Sequence, residues 1–83
     1  MRVLYFAWVR ERIGLAEEEL APPPEVATAG ELVAWLALRG DNYAHAFERP
    51  GTIRVAVDRV HVPASAPIAG AREVALFPPM TGG

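Results

Sequence analysis

Of the segments of this 83-residue chain that read as strands, the two most apolar stand at opposite ends of it, "VLYFAWV" at 3–9 and "VALF" at 74–77. A strand that is apolar on both faces belongs in the middle of a sheet, since a half-exposed strand alternates apolar with polar. In the first run Val3, Tyr5, Ala7 and Val9 take one face, and Leu4, Phe6 and Trp8 take the other. In the last, Val74 and Leu76 oppose Ala75 and Phe77. Two central strands so far apart in the chain are expected to lie side by side and parallel, because a helical crossover between them makes that pairing available.

The helix is the plainest element between them. Thr28-Ala29-Gly30-Glu31 is a capping box, in which the Thr28 hydroxyl accepts an early helical N–H and Glu31 reaches back. Leu32, Trp35, Leu36 and Arg39 follow at i, i+3, i+4 and i+7. Gly40 suits the left-handed position that stops a helix. Before this helix, "RERIG" is expected to turn at Gly14 into a weak acidic strand over 15–21, with Glu17, Glu18 and Glu19 on a solvated edge, ended by Pro22, Pro23 and Pro24. After it come a short helical turn around 43–48, a strand "TIRVAVD" with Ile53, Val55 and Val57 on one face, and a turn at Asp58-Arg59. A short "VHV" strand, a loop over 64–70 and a last strand over 72–77 complete the chain. The order β-β-α-β-(β)-β predicts an α+β fold of the β-grasp type, a mixed sheet around one main helix. Residues 1–77 form the domain, and residues 78–83 leave the central strand as a flexible tail.

Composition removes most chemistry. Without cysteine there are no disulfides, zinc–thiolate sites or thiol reactions. Net charge is −2 and the cations are scattered from Arg2 to Arg72, which argues against a nucleic-acid partner. Apolar runs are broken by Arg or Glu short of spanning length, and "MRVLYFAWVRERIG" lacks a small-residue cleavage site, so no membrane segment and a cytoplasmic location are expected. His45 and His61, the only histidines, lack metal-ligand spacing and read as surface or loop residues. Ser65 has no nucleophile-elbow context, and no Gly-rich loop joins a strand to a helix. No bound cofactor, no metal and no stand-alone enzyme are expected.

The chemistry is left to the tail, Pro78-Pro79-Met80-Thr81-Gly82-Gly83. The opening "VLYFAWVRERIG" and the closing "EVALFPPMTGG", above all "FPP" followed by two residues and "GG", resemble the ubiquitin-like sulfur carriers of the molybdopterin synthase small-subunit type. The resemblance covers essentially the whole chain. It implies that an adenylating enzyme uses ATP to convert the Gly83 carboxylate into an acyl-adenylate, and that a sulfur donor enzyme turns this into a thiocarboxylate. The tail would then enter the large subunit of a heterotetrameric synthase and give its sulfur to cyclic pyranopterin monophosphate, with the catalytic residues on that subunit. Family likeness also places partner contacts at Phe6 and Phe77, which strand parity puts on the open face beside the tail, with Arg10 in support. A loop covering both rings as a minor core is the competing expectation for the pair. Other pathways remain open at this stage: a carrier of the thiamin thiazole type, a ubiquitin-like modifier joined to lysines through Gly83, or a plain β-grasp binding module. All eight cations are arginine, which codon usage in a GC-rich genome explains; it also leaves no lysine to intercept an activated acyl group.

Overall fold

β1 (Arg2–Tyr5) lies beside the central strand of a five-stranded sheet in the computed structural model, which describes residues 1–79. The other strands are β2 (Glu17–Glu19), β3 (Arg54–Val57), β4 (Val60–Val62) and β5 (Glu73–Phe77), in the spatial order β2-β1-β5-β3-β4. β1 and β5 pair in parallel, with Val3 opposite Val74 and Tyr5 opposite Leu76, and every other neighbouring pair is antiparallel. The helices are α1 (Ala7–Ile13), α2 (Ala29–Ala37) and α3 (Asp41–Ala46), followed by a single 3-10 turn, Pro50–Thr52. The expected pairing of the first and last strands is present, and the fold is a ubiquitin-like α+β mixed sheet.

The apolar run at 3–9 does not stay in the sheet. β1 stops at Tyr5, and Ala7, at φ 52°, turns the chain into α1. A seven-residue run that is apolar throughout fits a period of 2 and a period of 3.6 equally well. The deciding feature is Ile13, four residues after Val9: both are buried on the inner side of α1, across a turn that exposes Arg10 and Glu11. "RERIG" is therefore the end of a helix rather than a hairpin turn. Gly14 takes the left-handed conformation at φ 91° and donates its N–H to the Arg10 carbonyl at 2.8 Å.

α2 begins as its sequence predicts. The Thr28 Oγ1 accepts the Glu31 N–H at 3.2 Å, and Glu31 Oε1 accepts the Thr28 N–H at 3.0 Å. It ends differently. Leu38 closes it in a right-handed conformation, and Gly40 is extended at φ 162°. Gly40 starts α3 instead, its carbonyl accepting the Ala44 N–H at 2.9 Å. A Cβ there would lie 3.0 Å from Asn42 Oδ1, so the Asn42 side chain, which donates to the Ile13 carbonyl, would have to give way to it. The helical turn expected at 43–48 is α3, lying two residues earlier.

The core forms between one sheet face and three helices. Val3, Tyr5, Val74, Leu76 and Val55 meet Leu32, Val33 and Leu36 of α2, Val9 and Ile13 of α1, and Tyr43 and Ala46 of α3, all of them buried. No described helix is long and apolar enough to cross a membrane.

One of the three edge carboxylates is not solvated as expected. Glu18 faces Val3 across β2 and β1, on the core side of the register. Its Oε2 accepts hydrogen bonds from Tyr5 Oη at 2.8 Å and Tyr43 Oη at 2.6 Å, and its Oε1 lies 3.5 Å from Arg39. Burial, and then the Glu18 carboxylate, raise the pKa of both phenols. These are the chain's only two tyrosines. A raised folded-state pKa favours the protonated phenol, so its contribution is intact below the unfolded value of about 10 and is lost as pH rises above it. Phenolate absorbance should stay flat through about pH 10 while the circular dichroism is native, then rise together with unfolding. Ionisation near that pH in a folded chain would contradict this arrangement.

Candidate functional site

With Val3, Tyr5, Val74 and Leu76 buried in the core, the two-residue period of the strands gives the opposite face to Leu4, Ala75 and Phe77. Arg54 lies opposite Phe77 on β3, and Ala56 lies between Ala75 of β5 and His61 of β4. The His61 ring sits 5.9 Å from the Phe77 ring, centroid to centroid, tilted by 52°. Phe6 follows β1, and its N–H donates to the Leu76 carbonyl at 3.1 Å, which extends the parallel ladder by one step. Its side chain is 47% exposed. Phe77 is half-buried.

Phe6 and Phe77 therefore end neighbouring parallel strands at the rim from which the tail departs. Arg10 is exposed on α1, and its N–H donates to the Phe6 carbonyl at 3.3 Å, so it stands one turn above the same rim. Trp8 does not belong to this face: it rides on α1. Pro78 and Pro79 are half-buried, so the described part of the tail keeps to the body of the domain. Met80, Thr81, Gly82 and Gly83, the residues on which the expected chemistry falls, lie outside the described residues.

The far end of the open face is charged. Arg2 binds Glu73 at 2.7 Å and approaches Glu17 at 3.7 Å, while Arg59 approaches Glu73 at 3.7 Å. The face thus changes from an ion-paired end at Arg2 and Glu73 to an aromatic end at Phe6 and Phe77, flanked by Arg54, in the direction of the tail. An apolar, partly exposed aromatic rim beside a chain end can bind a partner surface, the kind of site in which aromatic anchors dominate affinity. Among the described residues, no cluster of three or more His, Cys, Asp or Glu could hold a metal ion. His45 is exposed on α3, and Ser65 is exposed in the loop before β5.

The sequence reading did not single out His61 or Arg54 for this rim. The signal was present in the hairpin. Asp58 and Arg59 both have positive φ, 47° and 71°, as a two-residue turn requires, and that turn fixes His61 opposite Ala56. Asp58 then holds the turn to β5, accepting the N–H groups of Arg72 and Glu73 at 3.0 Å each.

Residues 3–83 match the ThiS family. Over 83 residues the chain is 37% identical to proteins of Haemophilus influenzae and Escherichia coli, each named molybdopterin synthase sulfur carrier subunit, and the match covers 99% of either relative. The crystal structure of SAMP1 from Haloferax volcanii superposes with a TM-score of 0.71 at 24% identity, covering 100% of this chain and 98% of that one. A putative molybdopterin converting factor, subunit 1, from Pyrococcus furiosus superposes with a TM-score of 0.70 at 23% identity, over 95% of both chains. The two structures establish the fold.

Proposed function

The chain belongs to the ThiS family, and from that premise we propose that it is the sulfur-carrier subunit of a molybdopterin synthase, with the C-terminal carboxylate of Gly83 as the group that carries sulfur. The observation that supports this most is the path of β5. This central strand ends at Phe77 and passes the chain directly to Pro78 and Pro79 at an apolar rim.

The proposed chemistry follows from the end group. A carboxylate is a poor acyl donor because its oxygen is a poor leaving group. An adenylating partner therefore joins it to AMP from ATP, releasing pyrophosphate. Sulfur at the sulfide level, supplied by a donor enzyme, then attacks the carbonyl carbon, the C–O bond to AMP breaks with AMP as the leaving group, and Gly83 is left as a thiocarboxylate. No cysteine is needed, since sulfur rides on the acyl carbon. Glycine has no Cβ, so Gly82 and Gly83 can thread a narrow channel and leave that carbon open to attack. Pro78 and Pro79 are rigid beforehand, which lowers the entropy lost when the tail enters a partner. The large synthase subunit supplies the catalytic groups, and the carrier itself is not the catalyst.

Phe77, with Phe6 and Arg10 beside it, is the proposed contact with that subunit. Phe77→Ala should weaken the complex by about 2 kcal/mol, roughly thirty-fold in Kd. Its cost in folding stability should stay well below the roughly 3–5 kcal/mol of a core Phe→Ala change, because the ring is only half-buried. Titration calorimetry with the large subunit, beside a denaturant melt of the free carrier, separates the two. An unfolded variant would make the ring a core residue.

The carrier reading is tested by reconstitution. The chain, the adenylating enzyme, ATP, a sulfur donor and the large subunit should together convert cyclic pyranopterin monophosphate into its dithiolene product. Transfer to a thiazole precursor instead would make it a carrier for another pathway. Isopeptide products on lysines would make it a protein modifier.

A further inference from the structure

We propose that the tail has a built seat on the body of the domain, in which Trp8, held in place by Arg12, receives Pro79 and so fixes the direction in which the last four residues leave. The inference rests on the carrier reading and adds a positioning device to it.

Pro79 lines a groove of about 420 Å³ together with Trp8, Arg12, Arg49 and Thr52. Trp8 and Arg12 stand four residues apart on α1 and so share one face of it. The Arg12 guanidinium carbon lies 4.5 Å from the centre of the Trp8 ring, within cation–π range. The same guanidinium donates to the His45 carbonyl at 3.2 Å and lies 3.7 Å from Glu48. Arg12 therefore ties the indole to the end of α3, and one wall of the groove becomes a single unit. Another part of the lining is also fixed, since both the Thr52 N–H and its Oγ1 donate to the Arg49 carbonyl, at 2.9 and 2.7 Å.

The core accounts for only part of Trp8, which packs against its edge. α1 buries Val9 and Ile13, and the indole is only partly covered. Proline has no N–H to donate, so packing is what can hold Pro79, and a flat aromatic wall suits a proline ring. Direction matters at this point because four residues beyond Pro79 reach at most about 14 Å. Fixing Pro79 fixes the point and the heading from which that reach is measured.

The expected result has two arms, both on the full chain. The protein has two tryptophans, so its indole N–H signals are Trp8 and Trp35. Pro79→Gly should move the Trp8 signal and leave that of Trp35 in place. In single-turnover sulfur transfer with saturating large subunit, Trp8→Ala should slow the step by roughly ten- to a hundred-fold, the range for lost positioning. Because part of the indole packs against the core, the comparison is made at a temperature where the variant is folded. Its affinity for the subunit should be near that of the parent, and Trp8→Phe should restore most of the rate. A Trp8→Ala chain that transfers at the parental rate, or a Trp8 signal unmoved by Pro79→Gly, would overturn the seat while leaving the carrier reading intact. A parent chain that accepts no sulfur would overturn the carrier reading, and the indole signal would still decide whether the seat exists.

Discussion

Deleting Gly83, or adding one residue after it, is expected to abolish sulfur transfer while the chain melts at the parental temperature. The two halves of this result have separate causes. Stability is set by a core whose last buried residue is Leu76, and no core residue follows it among the described residues. On the proposed reading, the chemistry is set by one carbonyl carbon, that of Gly83. Deletion leaves Gly82 as the end group and draws the reactive carbon back by about one residue, some 3.3–3.6 Å. Extension carries the carboxyl forward by the same distance, and any residue other than glycine adds a Cβ beside it. An error of about 1 Å can already cost on the order of a hundred-fold when reacting groups must be held in line. A misplacement of a whole residue should therefore leave no measurable transfer. Thermal melts of both variants, with transfer measured in the reconstituted system, check the prediction. Retained transfer by either variant would place the reactive group elsewhere.

Leu36→Ala should produce the opposite pattern. Leu36 is fully buried on α2, in the core with Leu32 beneath the central strands. Removing three carbons there forfeits their transfer energy and leaves a cavity, at a cost of about 2–5 kcal/mol. A domain of this size has about 5–15 kcal/mol in all, so the loss is a large fraction of its stability. At about 4–8 °C per kcal/mol, the midpoint should fall by at least about 8 °C. The tail is untouched, so at a temperature where the variant is folded its transfer should be near parental. A small shift in the melt would mean that the helix does not pack as described. Together the two variants separate the domain that presents the tail from the group that reacts.

The sequence made the two ends and the middle of the chain legible for different reasons. Val74 to Phe77 and Val3 to Tyr5 pair as their apolar faces require, and the Thr28–Glu31 box starts α2 because capping is a local interaction between near neighbours. α1 was hidden. Up to Val9 its residues satisfy both a strand and a helix, and the apolar residue that breaks the tie, Ile13, lies beyond the charged stretch that suggested a turn. Glu18 could not be told from Glu17 and Glu19 by composition. Its role depends on two tyrosine hydroxyls, one of them 25 residues further along the chain. Gly40 serves the start of α3, and nothing local distinguishes that use from the end of α2. Phe6 is exposed although the strand that was to carry it to Val9 ends early, because its backbone still adds a step to the ladder with Leu76. The apolar rim was therefore readable by parity at Phe6 and Phe77. Its His61 flank depended on the register set by the turn at Asp58-Arg59, and the Trp8 groove depended on the α1 helix. The tail's chemistry came from the terminal motif and the family resemblance.

The central claim is that Gly83 carries sulfur as a thiocarboxylate, and the intact mass of the chain tests it most directly. The full chain is incubated with the adenylating enzyme, ATP and a sulfur donor, and its mass is compared with that of the untreated chain. The account predicts a gain equal to the exchange of one oxygen for sulfur, found by fragmentation on the carboxyl group of Gly83 and absent when ATP is withheld. An unchanged mass, or sulfur found on any residue other than Gly83, would contradict it.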